Sequence, residues 1–399
     1  MGHVVIVGAG QAGAALAAKL RALGATHRIT MIGAEPVAPY QRPPLSKAYL
    51  LGEMPLDRLM LRGPDFWAAQ DIALRLGTEV SAIDRDAKTI TAAHETIAYD
   101  DLVLTTGSRA RRLPAAIGGA LGGVYTVRDL ADVDAMASEF VPGRHVLIVG
   151  GGYIGLEAAA VAAKKGLRVT LIEAAPRILQ RVACSETADW FRALHRSHGV
   201  EILEGLGLDR LSGDGRVTVA RLADGQEIEV DFVIVGIGIE PETTLARAAG
   251  LEIDNGIAVD SLGRTGDPAI WSAGDCASFP HRGGRMRLES VPNAIEMAEV
   301  VAANILGADQ HYVPRPWFWS DQYDSKLQIA GLGTGYDRIV IRQAGAARSH
   351  WYFQGDRLLA VDAMNDPRGF MIARRLIEAG KSPDPAQISD PETDLKALL

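Results

Sequence analysis

The chain has 399 residues, 48% of them apolar, a formal net charge of −8 and two cysteines. That length holds two or three domains with separate cores, and the acidic balance argues against nonspecific nucleic-acid binding. Cys184 and Cys276 stand far apart and in no C-x-x-C spacing, so two reduced thiols are expected rather than a redox disulfide.

The first element is the apolar strand Val4-Val-Ile-Val, followed by Gly8-Ala-Gly10-Gln-Ala-Gly13, a helix to about Leu23 and a strand from Arg28 that leads to Glu35. With the strand opening at Val4 there is little room for a cleavable leader, and no apolar stretch is long enough to span a bilayer. A cytoplasmic protein is expected. In a strand–turn–helix unit of this kind the first glycine permits the tight turn, the second lets the backbone approach a pyrophosphate, and the third lets helix pack on strand. The helix N-terminus then offers free N–H groups to phosphates. The proline-rich segment Pro36 to Pro44 excludes regular helix or central strand and leads into Leu45-Ser-Lys47. A loop at the C-terminal edge of a parallel sheet is where a cofactor's working end lies. Lys47, the one lysine of an apolar turn, is therefore a candidate functional residue, while Arg42 is either a second such group or a solvated cation. Residues 78–92 alternate as short strands, and a buried strand from Tyr99 ends at Thr106-Gly107, small residues that let the chain leave close to a cofactor.

The unit then recurs. His145-Val-Leu-Ile-Val, Gly150-Gly-Gly152-Tyr-Ile-Gly155, an alanine-rich helix and Arg168-Val-Thr-Leu-Ile-Glu173 repeat the pattern in full. Glycines at this spacing are a weak signal alone, but strand, helix and acidic terminus in register make a strong one. Two such clefts imply two different dinucleotides brought face to face, a flavin in the outer domain and a nicotinamide in the inner one, and hence electron transfer. Glu173 suits both hydroxyls of an adenosine ribose and repels a 2′-phosphate, favouring NADH, although Arg177 and Arg181 stand close by in sequence. Glu157 is placed in the first turn of the inner helix. It either complements the helix dipole or contacts the nicotinamide amide and pairs with Lys47. A further buried strand ends at Gly236-Ile-Gly238, which would abut the nicotinamide.

Past residue 243, an apolar strand from Thr265 ends at Gly274-Asp275, placing Asp275 to bind ribityl hydroxyls. Ser290-Val-Pro292-Asn293 opens a helix to Leu306 that Gly307 closes, its N-terminus aimed at the flavin. From about 315, strands at 327–332, 338–342, 349–354 and 357–364 precede a helix at 367–379, an α+β cap. Its aromatic edge, Pro316-Trp317-Phe-Trp319, either packs a core or gates a ring. The expected domains are 1–112 with 243–314 (outer), 113–242 (inner) and 315–399 (cap).

With both fingerprints, Arg42-Pro-Pro-Leu-Ser-Lys47, Gly274-Asp275-Cys276, Ser290-Val-Pro292-Asn293 and Trp317-Phe-Trp319-Ser-Asp-Gln in this order, the sequence resembles a known family. These are the NADH-dependent, FAD-containing ferredoxin reductases of bacterial oxygenase systems. The resemblance covers nearly the whole chain. It implies an α/β fold with two Rossmann-like dinucleotide-binding domains, glutathione reductase-like, and a C-terminal α+β domain. It implies hydride transfer from NADH to FAD, then single electrons to a [2Fe–2S] ferredoxin that feeds a haem monooxygenase or Rieske dioxygenase. FAD contacts carried over by position are Ala12, Lys47, Val80, Arg128, Asp275 and Val291. Ala34 stands where the family often has its acidic residue, so the adenosine ribose is assigned to Glu35; Thr105 replaces the alanine usual before Thr106-Gly107. An acidic ferredoxin would need a local positive patch, and Arg282, Arg285 and Arg287 form either that patch or a solvated basic loop. A monomer and a homodimer are both compatible with the family. Other readings are a flavin reductase of a different acceptor (a rubredoxin, a quinone or a dehydroascorbate radical) and a non-catalytic FAD/NADH redox sensor.

Overall fold

The computed structural model describes residues 2–399. The chain divides by contact into two compact units, each assembled from separated segments: one runs to Gln41 and resumes over Leu56–Arg109 and Glu240–Pro316, the other comprises Arg42–Pro55, Ala110–Ile239 and Trp317–Leu399.

The first unit is built on a five-stranded parallel sheet, in the order Ile270–Ser272, Asp101–Leu104, His3–Val7, Arg28–Ile32, Ile72–Arg75. A parallel strand covered on both faces is apolar throughout, and Val4, Val5 and Ile6 are accordingly fully buried. Helices Gln11–Ala22 and Val291–Ile305 cover one face through Leu16, Leu20, Met297 and Val301. A three-stranded antiparallel sheet covers the other with Ile90 and Ala92. The strand expected from Thr265 begins only at Ile270. Pro268 has no N–H to give a ladder, and Asp267 turns the chain instead, its carboxylate accepting from the Ala269 N–H at 3.0 Å.

The second unit holds a like sheet, ordered Glu201–Glu204, Arg168–Glu173, His145–Val149, Phe232–Val235, Val124–Thr126, with helix Tyr153–Lys164 packed on it. It also holds an antiparallel sheet of five strands, ordered Trp317–Gln322, Ser325–Gly331, Arg357–Met364, Ala347–Gln354, Arg338–Ala344, backed by helix Pro367–Glu378. Pro367 at the helix start and the Asp366 carboxylate, which accepts from the Gly369 N–H, set the N-terminus of that helix. The strand Trp317–Gln322 has no clear hydrophobic alternation because both faces meet protein. Phe318 lies 4.9 Å from the Tyr153 ring, and Trp317 lies 6.0 Å from Phe370. Among the described residues, no helix is long and apolar enough to cross a membrane.

Helix Ser185–Ser197 is tied to the antiparallel sheet by a buried polar cluster. Thr187 Oγ1 donates to Asp362 Oδ2 at 2.7 Å, the Tyr352 hydroxyl donates to the same oxygen, and the Cys184 N–H donates to Tyr352 at 2.8 Å. Since the one Thr187 proton goes to Asp362, His350 Nδ1, at 2.7 Å, is the donor to Thr187 Oγ1. Burial pushes the Asp362 carboxyl up to about 6, against the two hydroxyl donors. An acid whose folded-state pKa is raised is stabilising in its protonated form, so its contribution is full below about pH 4 and falls as pH rises through about 6. Asp362→Asn removes that dependence. In urea unfolding at pH 4.5 and 7.5, wild type should lose about 1–2 kcal/mol more than Asp362→Asn over the interval.

Candidate functional site

In the first unit the glycine turn follows strand His3–Val7 at its C-terminal end. Gly8 has φ +118°, and a Cβ there would meet the Thr105 carbonyl oxygen at 2.2 Å; a Cβ on Gly13 would meet the Gly8 oxygen at 2.1 Å. Both glycines are demanded by the protein's own packing. Gly10 is different: it lies in ordinary extended backbone with φ −100°, and a Cβ on it would meet nothing within 4 Å. Ala12 is buried beside Gly274, whose φ of +83° excludes most side chains and whose own Cβ would touch Ala12 at 3.0 Å. Asp275 accepts from Ser108 Oγ at 3.1 Å, and Glu35 accepts from the Tyr40 hydroxyl at 2.6 Å. The Thr106 hydroxyl donates to the Glu242 carbonyl at 2.6 Å beside Gly107. Val80 opens a strand of the antiparallel sheet and packs on its core, and Val291 is the first residue of a helix capped by Ser290.

Two of the three arginines of the loop are tied back into the fold. Arg285 donates to the Val259 carbonyl at 2.8 Å and to the Ser278 carbonyl. Arg287, with a side chain only 10% exposed, donates to the Asp275 carbonyl at 3.2 Å and pairs with Glu289 at 2.5 Å. Guanidinium groups serve carbonyls well because they carry five donors, and here those donors close the loop on itself. Arg282 is exposed and makes no hydrogen bond or ion pair among the described residues.

In the second unit the same logic repeats. Gly150 has φ +109° and its Cβ would meet the Gly236 oxygen at 2.4 Å; a Cβ on Gly155 would meet the Gly150 oxygen at 2.0 Å; one on Gly152, with φ −80°, would meet nothing within 4 Å. Glu173 braces the turn, accepting from the Gly151 N–H at 2.7 Å and the Ala175 N–H at 2.8 Å. Gly238 has φ +100°, and its carbonyl accepts from the Arg111 N–H. Arg42 is no solvated cation, since its Nη1 donates to the Arg128 carbonyl at 2.8 Å. Trp319 is half-buried, 5.6 Å from Trp317.

The densest chemistry in this unit surrounds Glu157. The helix begins at Tyr153, so Glu157 is its fifth residue and lies beyond the first turn, which removes the dipole reading. Its side chain is 1% exposed and accepts from Lys47 Nζ at 2.7 Å, Ser46 Oγ at 2.5 Å and Ser320 Oγ at 2.6 Å. A buried carboxylate is tolerated only with such compensation. Ser46 and Ser320 are neighbours of Glu157 that sequence reasoning passed over. Both cysteines are free and buried.

Residues 2–298 match the pyridine nucleotide-disulphide oxidoreductase family and residues 317–399 match the reductase C-terminal domain. The chain is 42% identical to rhodocoxin reductase of Rhodococcus erythropolis, over 99% of this chain and 94% of that protein. It is 41% identical to putidaredoxin reductase of Pseudomonas putida, over 100% and 96%. Its structure is similar to that of the reductase in the covalent putidaredoxin reductase–putidaredoxin complex, with a TM-score of 0.96, 40% identity and 100% and 98% coverage. The chain therefore belongs to the pyridine nucleotide-disulphide oxidoreductase family, among the ferredoxin reductases that carry a reductase C-terminal domain.

Proposed function

We propose that the chain is an FAD-dependent NADH:ferredoxin reductase, taking a hydride from NADH onto FAD and passing its two electrons singly to a [2Fe–2S] ferredoxin that feeds a haem monooxygenase or Rieske dioxygenase. The observation that carries this reading is the pair Gly10 and Gly152. Neither backbone conformation nor protein packing requires a glycine at either position, and both begin a helix with no side-chain cap. A pyrophosphate approaching the free N–H groups supplies the missing reason. Two such turns on two sheets fit two dinucleotides, and the absence of a cysteine pair removes a sulfur relay.

We assign FAD to the first unit, held by Gly8, Gly10, Ala12, Gly13, Glu35, Gly274, Asp275 and Val291, with Val80, Thr106 and Gly107 as further contacts, and we carry Arg42, Lys47, Arg128 and Trp319 as cofactor-binding residues on the family resemblance. NADH is assigned to Gly150, Gly152, Gly155, Glu173 and Gly238. Bound there, the two cofactors supply the hydride donor and the acceptor that can release electrons one at a time. Glu173 supports NADH over NADPH because its carboxylate, already facing the turn's N–H groups, accepts hydroxyls and repels a 2′-phosphate. Glu157 has spent three acceptor positions of roughly four that a carboxylate offers, leaving about one for the nicotinamide amide. So saturated, it serves as an anchor rather than a base, while Lys47 supplies a fixed positive charge at the site.

Cofactor affinity should separate from stability along each turn. Gly13→Ala and Gly155→Ala should cost the apoprotein about 2 kcal/mol or more by overpacking. Gly10→Ala and Gly152→Ala should leave unfolding within about 0.5 kcal/mol but weaken FAD and NADH binding respectively, each measured by titration. The function itself is tested by anaerobic stopped-flow on a cysteine-free Cys184→Ala/Cys276→Ala holoenzyme. NADH should bleach the flavin and a [2Fe–2S] ferredoxin should restore its colour; failure of either step in wild type refutes the assignment. For docking, Arg282→Glu should raise the ferredoxin KM roughly tenfold at low salt and leave ferricyanide reduction unchanged.

A further inference from the structure

The Glu157 carboxylate is also the end of a longer chain of hydrogen bonds, every member of which lies in the second unit. Ser320 Oγ lies 2.6 Å from Glu157 Oε1 and 3.1 Å from Gln322 Nε2; Gln322 Oε1 lies 2.8 Å from His195 Nε2; His195 Nδ1 lies 3.2 Å from the Tyr323 hydroxyl. Ser320, Gln322 and His195 are all fully buried. Tyr323 stacks on His198 at 3.7 Å, where the chain nears the surface.

Chemistry fixes the direction of each bond. Paired with Lys47, the carboxylate only accepts, so the single Ser320 proton goes to Glu157. Ser320 Oγ must then accept from its other neighbour, which sets the Gln322 amide nitrogen toward it and the amide oxygen toward His195. His195 therefore carries its proton on Nε2, and Nδ1 accepts from Tyr323. Burial pushes the His195 pKa down to about 4, in keeping with this neutral tautomer. The result is a one-way line of donors: Tyr323 to His195, His195 to Gln322, Gln322 to Ser320, Ser320 to Glu157. In a low-dielectric interior each donor polarises the next, so the strongest is the last.

We propose that Ser320 and Gln322 are positioning residues for the Lys47–Glu157 pair, the line of donors from Tyr323 to Ser320 holding the carboxylate in the orientation that grips Lys47. The C-terminal domain thereby becomes a working part of the hydride-transfer site. The proposal rests on the assignment of Lys47 and Glu157 to that site. Ser320 touches Oε1, whereas Lys47 and Ser46 both hold Oε2, so Ser320 alone fixes the rotation of the carboxylate about its own axis. A merely satisfied core serine would affect stability and nothing else. A positioning serine affects the geometry of a reacting site, where small displacements are costly.

The test uses FAD-loaded holoenzyme carrying Ser320→Ala, Ser320→Thr, Gln322→Met or Glu157→Gln. The first readout is the infrared carboxylate stretch that disappears in Glu157→Gln. It should shift in Ser320→Ala, shift less in Gln322→Met, and return in Ser320→Thr, which keeps the hydroxyl donor. The second is anaerobic reduction by NADH. The limiting rate should fall about tenfold in Ser320→Ala, on the scale of one charge-assisted hydrogen bond, with FAD content and NADH affinity within about twofold of wild type. Ser320→Thr should recover most of that rate. Should Ser320→Ala not fold, Gln322→Met carries both readouts, with a loss of about threefold expected. An unshifted band, or a rate equal to wild type while Glu157→Gln is slow, overturns the role given to Ser320. A wild-type rate in Glu157→Gln overturns the assignment of the ion pair itself, and the two failures are thus distinguishable.

Discussion

Closeness between each nucleotide-facing helix and the turn that feeds it is the constraint on which the rest depends. At the third glycine of each turn, a single added carbon would sit about 2 Å from the first glycine's carbonyl oxygen. That contact brings the helix start to the end of the central strand, where its unpaired N–H groups gather above the sheet. Glu173 holds the second turn from outside by accepting the Gly151 N–H, and Gly274 closes on Ala12 in the first. Two sheets of like strand topology, each with its glycine turn on the central strand, follow from using the same solution twice.

The second unit adds a different device, a charged pair kept inside. Burying Glu157 is costly unless its lone pairs find donors, and the fold answers from two places: the short helical turn Pro43–Ser46 with Lys47 after it, and a strand of the C-terminal sheet. Such a group is sensitive to each of its supports, because removing one leaves an acceptor facing a dry interior. A residue far along the chain can therefore act on the chemistry without approaching a cofactor.

Much of this was legible in the sequence because it is local. Strand, turn and helix are contiguous over residues 3–22 and again over 145–164, and apolar runs with glycine punctuation mark them plainly. What was hidden is what depends on distance in sequence. Ser46 and Ser320 carry no signal alone; only the approach of three segments makes them partners of Glu157. Glu157 was placed one turn too early because the helix was counted from the third glycine, whereas its cap is the second, Gly152. For Arg285 and Arg287, sequence shows the charge but not the carbonyls of Val259, Ser278 and Asp275 to which their N–H groups donate. The strand Trp317–Gln322 escaped notice because its aromatic run is covered on both sides and loses the period of two.

The interleaving of segments bears on the order in which the protein is made. The parallel sheet of the second unit draws all its strands from Val124 to Val235, whereas the first sheet waits for Ile270–Ser272 and its covering helix for Val291–Ile305. A ribosome thus releases the strand bearing Val4, Val5 and Ile6 long before anything exists to shelter its outer neighbour. Completion of that first core is a late and nonlocal event, slowed by the closure of a very long loop. Until then the apolar strands of the amino-terminal half stay uncovered, while the inner sheet has all its strands and can form.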